Sequence, residues 1–241
     1  MHLIISPPVP LWLVFVLMAV ACYLIGGFSS SFVIGKLIYH KDLRCEGSGN
    51  LGTTNALRCL GVPAGIVVLF LDGLKGAIAI EIARLLLPQH CTAARYATLS
   101  PLVRLAYSPV GYPAQIAYWA LVVCALAAIL GHAFSPYLKF RGGKAIATSA
   151  GIIIAMEPKA VLILLPIFII VLLSTRYVSV ASMAIAICYP FATVIFYPSL
   201  PFIILSVVAA LFVIWLHRSN IVRLRAGTEN RLTLGRSQPK A

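Results

Sequence analysis

The chain has 241 residues, of which 61% are apolar and 10% are charged, and its formal net charge is +13. Soluble domains average about 45–50% apolar and about 25% charged residues, so a water-soluble globular protein is excluded. We therefore expect an all-α integral membrane protein, with one domain over residues 1–241. The six cysteines form no CxxC pair, and we expect neither a disulfide framework nor a zinc site.

A membrane-spanning helix needs about 20 mostly apolar residues. We predict about seven spans, with a break or a close-packing site in the first at Gly26–Gly27 and Ser29–Ser31. Prolines 190, 198 and 201 interrupt the last apolar stretch. The predicted segments are residues 10–39, 62–87, 112–131, 142–156, 160–175 and the two halves of 177–216. A re-entrant fourth segment would give six spans, and merged segments would give five.

The basic residues predict the orientation of these segments. Fourteen of the 19 Lys and Arg residues lie on one side, Arg84, Arg95, Arg104 and Lys159 lie on the other, and Lys75 lies within the second segment. The positive-inside rule places the larger group in the cytoplasm. The N-terminus is then outside, the C-terminus is cytoplasmic, and residues 88–111 form an external loop.

A first polar cluster, EGSGNLGTTNALR, covers residues 46–58. Gly47, Gly49 and Gly52 match GxGxxG, but no βαβ unit surrounds them, which argues against a dinucleotide site. Glycine amides can still line an anion site, and Arg58 can bind an oxyanion through two hydrogen bonds. Neutral hydrogen-bonding groups are added by Ser48, Asn50, Thr53, Thr54 and Asn55. A solvated turn uses the same residue types, so composition leaves both interpretations open.

A second cluster places Gly142, Gly143 and Lys144 at the start of an apolar helix. A helix N-terminus with free amides attracts an anion, and a lysine strengthens that attraction. The alternative is that Lys139, Arg141 and Lys144 only mark topology and contact lipid headgroups.

A third cluster contains His217, Asn220 and Arg223, whose helical spacing lets one face present all three side chains. The alternative is a basic helix attracted to anionic lipid.

Two further features lie in the apolar segments. Asp72 and Lys75 share one helix face, either as a functional pair or as a structural one. Ser179 and Ser182 begin a segment that starts at the cytoplasmic side, within reach of the polar clusters.

Several kinds of catalytic site are absent from the sequence. There is no HExxH motif, acidic metal cluster, Walker lysine or GxSxG motif, and no His is followed by Asp five positions later. We expect no metal, no cofactor and no nucleic-acid partner.

Together, GSGNLGTTNALR, FRGGKAIATSAG and HRSNIVRLRAGTE resemble the three signature segments of the bacterial acyl-phosphate:glycerol-3-phosphate acyltransferases, the PlsY family. FLDGLKG resembles the family's second helix. The resemblance implies transfer of a fatty acyl group from acyl phosphate to the 1-hydroxyl of glycerol 3-phosphate, giving lysophosphatidic acid and phosphate. It also implies a multi-pass protein of the bacterial cytoplasmic membrane, with its active site facing the cytoplasm.

The resemblance assigns site roles to particular residues. We expect Ser48, Arg58, Lys144, His217 and Asn220 to be catalytic. The expected substrate-binding residues are Asn50, Thr54 and Ser182 from the resemblance, and Gly47, Gly49, Asn55, Gly142 and Gly143 from the polar and glycine-rich patterns. The proton acceptor would be a substrate phosphate or His217. Ala145 stands where the family usually has glycine.

The expected partners are glycerol 3-phosphate, acyl phosphate and membrane lipid, and the enzyme that makes acyl phosphate is a candidate. The main rival function is a small transporter for an anionic phosphate ester, which inverted repeats would favour. We find no internal repeat. A metal-dependent phosphotransferase is a second rival, but only six acidic residues are present and they do not cluster.

Overall fold

The computed structural model describes residues 11–86 and 114–232, which form helices and connecting loops without a β-strand. The α-helices are α1 Leu11–Gly27, α2 Ser30–Leu37, α3 Thr53–Leu60, α4 Val62–Leu86, α5 Ala114–Ala133, α6 Ile146–Met156, α7 Val161–Thr175, α8 Val178–Phe196, α9 Leu200–Leu216 and α10 Arg218–Arg225. Helices therefore cover all seven predicted segments. The predicted external loop, 88–111, lies outside the described residues.

The helices differ in how well they match the thickness of a bilayer. Four stretches are long and apolar enough to cross it, namely Trp12–Leu37, Tyr118–Leu138, Pro158–Thr175 and Val178–Phe196, and a fifth is added if α9 and α10, bent by 52°, form one span. Helix α4 has 25 residues but carries four charged side chains. Helix α6 has 11 residues, which at about 1.5 Å each reach about half of the ~30 Å hydrocarbon core. The count of seven spans and the orientation stay predictions.

The predicted breaks are only partly confirmed. Helix α1 ends at Gly27, and Ser29 caps α2 by accepting a hydrogen bond from the Phe32 amide at 3.4 Å. Between α8 and α9 the chain turns around Pro198, with Pro201 in the first turn of α9. The interruption predicted at Pro190 is wrong, because α8 continues through it. Apolar membrane helices tolerate such prolines when neighbouring groups satisfy the freed backbone.

Glycines let two pairs of helices approach closely. A Cβ added at Gly26 in α1 would lie 2.1 Å from the Ala128 carbonyl oxygen of α5. A Cβ at Gly76 in α4 would lie 2.2 Å from the Thr148 carbonyl oxygen of α6. Small residues at helix contacts are typical of membrane proteins, where dispersion and close packing hold helices together.

A buried ion pair joins α4 to the α1–α2 break. Lys75 Nζ lies 3.0 Å from Asp72 Oδ1, which also accepts a hydrogen bond from Ser30 Oγ at 3.0 Å. The same ammonium donates to the Phe28 carbonyl oxygen, which the end of α1 leaves without a helical partner. The predicted Asp72–Lys75 pair is thus confirmed as a contact, and it fixes the helix break beside the cavity described below.

Candidate active site

A polar cavity of about 280 Å³ lies where α3, the 139–145 loop, the first turns of α8 and helix α10 meet. It brings together side chains from all three polar clusters. The polar residues that line it are Ser48, Asn50, Thr53, Thr54, Asn55, Arg58, Asp72, His132, Lys144, Ser179, Ser182, His217, Asn220, Arg223, Glu229 and Asn230. Nine of the thirteen predicted site residues lie in this wall, and the four predicted glycines lie outside it.

The N-terminus of α3 forms one part of the wall. Gly52 precedes the helix and supplies no side-chain cap, so the first amides have no capping partner among residues 11–86 and 114–232. The buried Thr53 hydroxyl also lacks a hydrogen-bond partner among the described residues. Uncapped amides at a helix N-terminus, with a free hydroxyl beside them, favour binding of an anion.

The loop before α3 is organised by the buried Asn55. Its amide nitrogen donates to the carbonyl oxygens of Leu43 at 3.1 Å and Glu46 at 3.0 Å, and its oxygen accepts from the Ser48 amide at 2.9 Å. Gly47 has a φ of +59°, and a Cβ there would lie 2.4 Å from Asn55 Oδ1. Asn55 and Gly47 therefore shape the loop, which presents Ser48 to the cavity.

The glycine pair before Lys144 packs against backbone. The Gly142 amide donates to the Ala133 carbonyl oxygen at 3.0 Å, and the Gly143 amide donates to that of His132 at 3.1 Å. A Cβ at Gly143 would lie 2.3 Å from the Leu51 carbonyl oxygen. The expectation of free anion-binding amides at these glycines is wrong, because both amides are already satisfied. Their part is to let the loop approach its neighbours closely.

Ala145 separates Lys144 from α6, which begins at Ile146 and not at the lysine. Ala145 has a left-handed φ of +58°, which costs a non-glycine residue about 1–2 kcal/mol. Alanine therefore replaces the expected glycine at position 145 at the cost of backbone strain. Its buried side chain forms part of the wall of the cavity.

A connected polar network holds the side chains of the second and third clusters. Lys144 donates a hydrogen bond to Asn220 Oδ1, and Asn220 Nδ2 donates to Glu229 Oε1 at 2.6 Å. Glu229 Oε2 pairs with Arg223 Nε at 2.7 Å, and Ser179 Oγ donates to Glu229 Oε1 at 2.9 Å. The carboxylate of Glu229 is therefore the centre that orients Asn220, and through it Lys144.

The charges in the cavity do not cancel. Asp72 is paired with Lys75, and Glu229 with Arg223, while Arg58 has no ion-pair partner within residues 11–86 and 114–232. Burial opposes ionisation of Glu229, but hydrogen bonds from Asn220, Arg223 and Ser179 outweigh it, and the pKa of this carboxyl is lowered. Arg58 and Lys144 are left to balance an incoming anion.

The Lys144 ammonium is destabilised by its surroundings in the cavity. Burial, and then the nearby Arg223 guanidinium, lower its pKa to about 8, although Glu229 acts in the opposite direction. A dianionic phosphate would supply the missing negative charge.

This pKa predicts the pH dependence of substrate capture. Since the charged form of Lys144 is lost as pH rises through about 8, we expect kcat/KM for a phosphate-bearing substrate to fall between about pH 7 and 9. This ratio reports groups on the free enzyme, and the phosphate, with a second pKa near 6, does not titrate there. The measurement is kcat/KM across this range. A Lys144→Arg variant, charged throughout, should lose the alkaline decline, and a decline that persists would assign it to another group.

Within the described part of the chain, His217 makes a hydrogen bond through one ring nitrogen only. Its Nδ1 lies 2.8 Å from the Val213 carbonyl oxygen, so Nδ1 carries a proton and donates it. The neutral ring then keeps a lone pair on Nε2, as a general base requires. The side chain is buried and lines the cavity.

An apolar cavity of about 330 Å³ adjoins the polar one and is lined mainly by α6, α7, α8 and α9. The two cavities share the lining residues Leu69, Ile146, Ala147, Phe168 and Ser182. A molecule with an anionic head and a long apolar tail could therefore occupy both at once.

Several residues in the polar wall were not predicted as site residues. Glu229 and Arg223 stand within the third cluster, and Ser179 lies one helical turn before Ser182. These spacings were signals that could have identified them. His132 was harder to find, because its place depends on a hydrogen bond between Nδ1 and Thr148 Oγ1, 3.0 Å apart on different helices.

The apolar helices and the two adjoining cavities define an integral membrane protein whose site suits an anionic headgroup with an apolar tail. A model of the glycerol-3-phosphate acyltransferase family matches residues 16–227, and the chain belongs to that family.

Curated relatives cover nearly the whole chain. Glycerol-3-phosphate acyltransferases of Staphylococcus carnosus (strain TM300) and Staphylococcus aureus (strain JH9) are 40% and 41% identical over 217 residues, which is 90% of this chain and 97% of each relative. Among solved structures, the crystal structure of PlsY (YgiH), an integral membrane glycerol 3-phosphate acyltransferase, in its glycerol 3-phosphate form has a TM-score of 0.75 at 31% identity, covering 91% of this chain and 96% of that chain. Its lysophosphatidic acid form has a TM-score of 0.72 at 29% identity, covering 91% and 95%.

Proposed function

We propose that this glycerol-3-phosphate acyltransferase takes its acyl group from an acyl phosphate and transfers it to the 1-hydroxyl of glycerol 3-phosphate. The observation that carries the proposal is the continuity of the polar cavity with the apolar one. A donor with a phosphate head and an acyl tail matches both. The leaving group of such a donor is inorganic phosphate, which is small. The cavity therefore needs no additional volume beside Arg58 and Lys144 for a large leaving group such as coenzyme A.

The two cations of the cavity have complementary roles in this proposal. Arg58, with its planar guanidinium, binds one phosphate through two hydrogen bonds. Lys144 donates a hydrogen bond to Asn220 and feels the charges of Arg223 and Glu229, and it neutralises the charge that develops on the acyl phosphate. The uncapped α3 amides, with Ser48, Asn50 and Thr54, complete the phosphate-binding wall. Ser182 lies where the two cavities join and borders the acyl carbonyl.

The reaction needs no covalent intermediate on the protein. The 1-hydroxyl oxygen attacks the acyl carbon, the carbon–oxygen bond to phosphate breaks, and inorganic phosphate departs. The hydroxyl proton goes to a substrate phosphate or to Nε2 of His217. Acyl phosphate is already activated, so orientation and stabilisation of charge supply most of the rate enhancement.

The polar cavity in this proposal faces the cytoplasm of a bacterial cell, with the protein in the cytoplasmic membrane. The segments that precede the cavity residues in the sequence are rich in basic side chains, and the positive-inside rule places such segments in the cytoplasm. These side chains are Lys36, Lys41, Arg44, Lys139 and Arg141. Water-soluble glycerol 3-phosphate would then enter from the compartment where it is made.

The deciding experiment supplies purified protein with palmitoyl phosphate and radiolabelled glycerol 3-phosphate, without added metal. We expect labelled lysophosphatidic acid and one phosphate released per acyl group. A parallel reaction with palmitoyl coenzyme A should give no product. Product from the thioester alone would overturn the proposed donor while leaving the acyltransferase activity in place. A transporter would instead move the label across vesicles without forming product.

A further inference from the structure

His132 lies in the last turn of α5 and lines the polar cavity, yet the reaction proposed above gives it no part. The residue is 6% exposed. A buried histidine at the end of an apolar helix can be a simple packing residue, and its place in the cavity wall would then be incidental. The contacts of His132 are instead concentrated on the two sides of Lys144.

On the N-terminal side of Lys144, His132 contacts Gly143 in two ways. Its carbonyl oxygen accepts a hydrogen bond from the Gly143 amide at 3.1 Å. Its ring lies against the same residue, because a Cβ added at Gly143 would lie 2.4 Å from His132 Nε2. The ring and the glycine backbone are therefore in direct contact, with no room for a side chain between them.

On the C-terminal side of Lys144, the same ring bonds to the first turn of α6. His132 Nδ1 lies 3.0 Å from Thr148 Oγ1, and Thr148 is 0% exposed. A hydrogen bond between two buried polar groups is unfavourable to break, since each partner is then left unsatisfied. Lys144 thus lies between two points of the chain, Gly143 and Thr148, that one imidazole ring contacts.

The strained backbone beside Lys144 shows why such contacts are needed. Ala145 has a left-handed φ of +58°, and a non-glycine residue keeps this conformation only where the surrounding structure holds it. The His132–Gly143 contacts hold the chain before Ala145, and the His132–Thr148 bond holds the chain after it. Without these contacts, the strained segment would be free to relax and to move Lys144.

We propose that His132 is a positioning residue, which fixes the backbone on both sides of Lys144 and thereby directs the Lys144 ammonium towards Asn220 and the substrate phosphate. His132 acts through Lys144 in this proposal. The inference therefore rests on the role that the proposed function gives to Lys144.

The test removes the bond from its Thr148 side, because Thr148→Val keeps the shape of the side chain. We expect kcat/KM for glycerol 3-phosphate, with palmitoyl phosphate as the donor, to fall about 10- to 100-fold, since a displacement of about 1 Å can cost about 100-fold. His132→Phe, which keeps a ring without nitrogens, should lose a similar factor. His132→Asn offers Thr148 an amide in place of Nδ1 and should be at least about threefold more active than His132→Phe.

Thr193→Val is the matched control for a loss of stability alone. Thr193 Oγ1 donates to Glu157 Oε2 at 2.7 Å, and the residue is 0% exposed, as Thr148 is, but it lines neither cavity. We expect both threonine variants to lower the apparent Tm, whereas Thr193→Val should leave kcat/KM within about twofold of wild type. An equal kinetic loss in the two variants would reflect a general loosening of the fold and would overturn the inference.

Action through Lys144 is tested by combining the substitutions. If His132 and Thr148 serve to place the ammonium, adding Thr148→Val to Lys144→Met should lower kcat/KM by less than about a further twofold, because the group they place is gone. A further loss as large as the one in the wild-type background would show that the pair acts independently of Lys144, and the inference would be wrong. Lys144→Met alone at near wild-type activity would instead refute the role proposed for Lys144, and the inference with it.

Discussion

Replacing Lys144 with methionine is expected to lower kcat/KM for glycerol 3-phosphate by about 100- to 1000-fold. Methionine keeps an unbranched chain but removes the charge that balances the incoming phosphate. Loss of one charge-stabilising donor in an active site typically costs about 2.7–4 kcal/mol of transition-state stabilisation. The Lys144 hydrogen bond to Asn220 is also lost, although Glu229, which is paired with Arg223, still accepts from that amide. Steady-state kinetics in detergent micelles give the measurement.

The size of the effect distinguishes the two interpretations of the second cluster. If Lys144 only marked topology, Lys144→Met would behave like Lys139→Met, the same change in the same loop at an exposed residue outside the cavity. Lys139→Met should stay within about twofold of wild type. A larger loss in kcat than in 1/KM would show that the ammonium acts mainly on the transition state. Equal, small effects of both substitutions would contradict a role for Lys144 in the reaction.

Replacing Asp72 with asparagine is expected to destabilise the protein strongly. It leaves the buried Lys75 ammonium beside a neutral side chain, and breaking a buried pair from one side costs about 3–5 kcal/mol. For a chain of this size, that corresponds to a fall in apparent Tm of about 6–20 °C. The double variant Asp72→Asn/Lys75→Met removes both charges and should recover at least half of the loss. Thermal unfolding in one detergent gives the comparison.

Helix α4 supplies its own control for this prediction. Glu81 and Arg84 form a second pair with the same three-residue spacing, in which the Glu81 side chain is 55% exposed and the Arg84 side chain is 9% exposed. Gln at position 81 keeps an oxygen that can accept from Arg84, which also donates to the Ala155 carbonyl oxygen, so Glu81→Gln should lower the apparent Tm less than Asp72→Asn does. If Glu81→Gln lowered the apparent Tm as much as Asp72→Asn, the full burial of the Asp72–Lys75 pair would not account for the loss.

The sequence predicted the helices well, because apolar segments of membrane length are long and uninterrupted. The break at Ser29 was visible as a run of serines and glycines. Pro190 misled the prediction, since a proline inside an apolar helix can be accommodated by its neighbours. Nothing in the local sequence separates it from Pro198, which does mark a turn.

The polar wall was predicted where its residues belong to the polar clusters of the sequence. Arg58, Lys144, His217 and Asn220 were predicted from clusters and resemblance, and they line one cavity. The sequence predicted that the glycines bind substrate. Gly142 and Gly143 instead donate their amides to backbone carbonyl oxygens and let the loop pack closely against them. A glycine pattern shows that something approaches closely, and only the fold shows whether it is a ligand or another loop.

The buried hydrogen bonds that Tyr189 and Thr193 donate to Glu157 were out of reach of sequence reasoning. Glu157 precedes Pro158 at the end of a short helix, and its partners lie more than 30 residues away on α8. Neither residue belongs to a polar cluster in the sequence. Long-range pairing of isolated polar residues is a property of the tertiary structure.

The shared wall between the two cavities also has a kinetic consequence. In the proposed reaction, glycerol 3-phosphate reaches the polar cavity by diffusion in bulk solution, whereas the acyl phosphate is dissolved in the bilayer and reaches the apolar cavity by lateral diffusion. The rate should therefore follow the molarity of glycerol 3-phosphate but the surface mole fraction of the acyl donor. Adding inert lipid to the vesicles, with the bulk concentration of the donor held constant, would then slow the enzyme. Diluting the whole suspension of vesicles with buffer of the same glycerol 3-phosphate concentration would leave the turnover number unchanged.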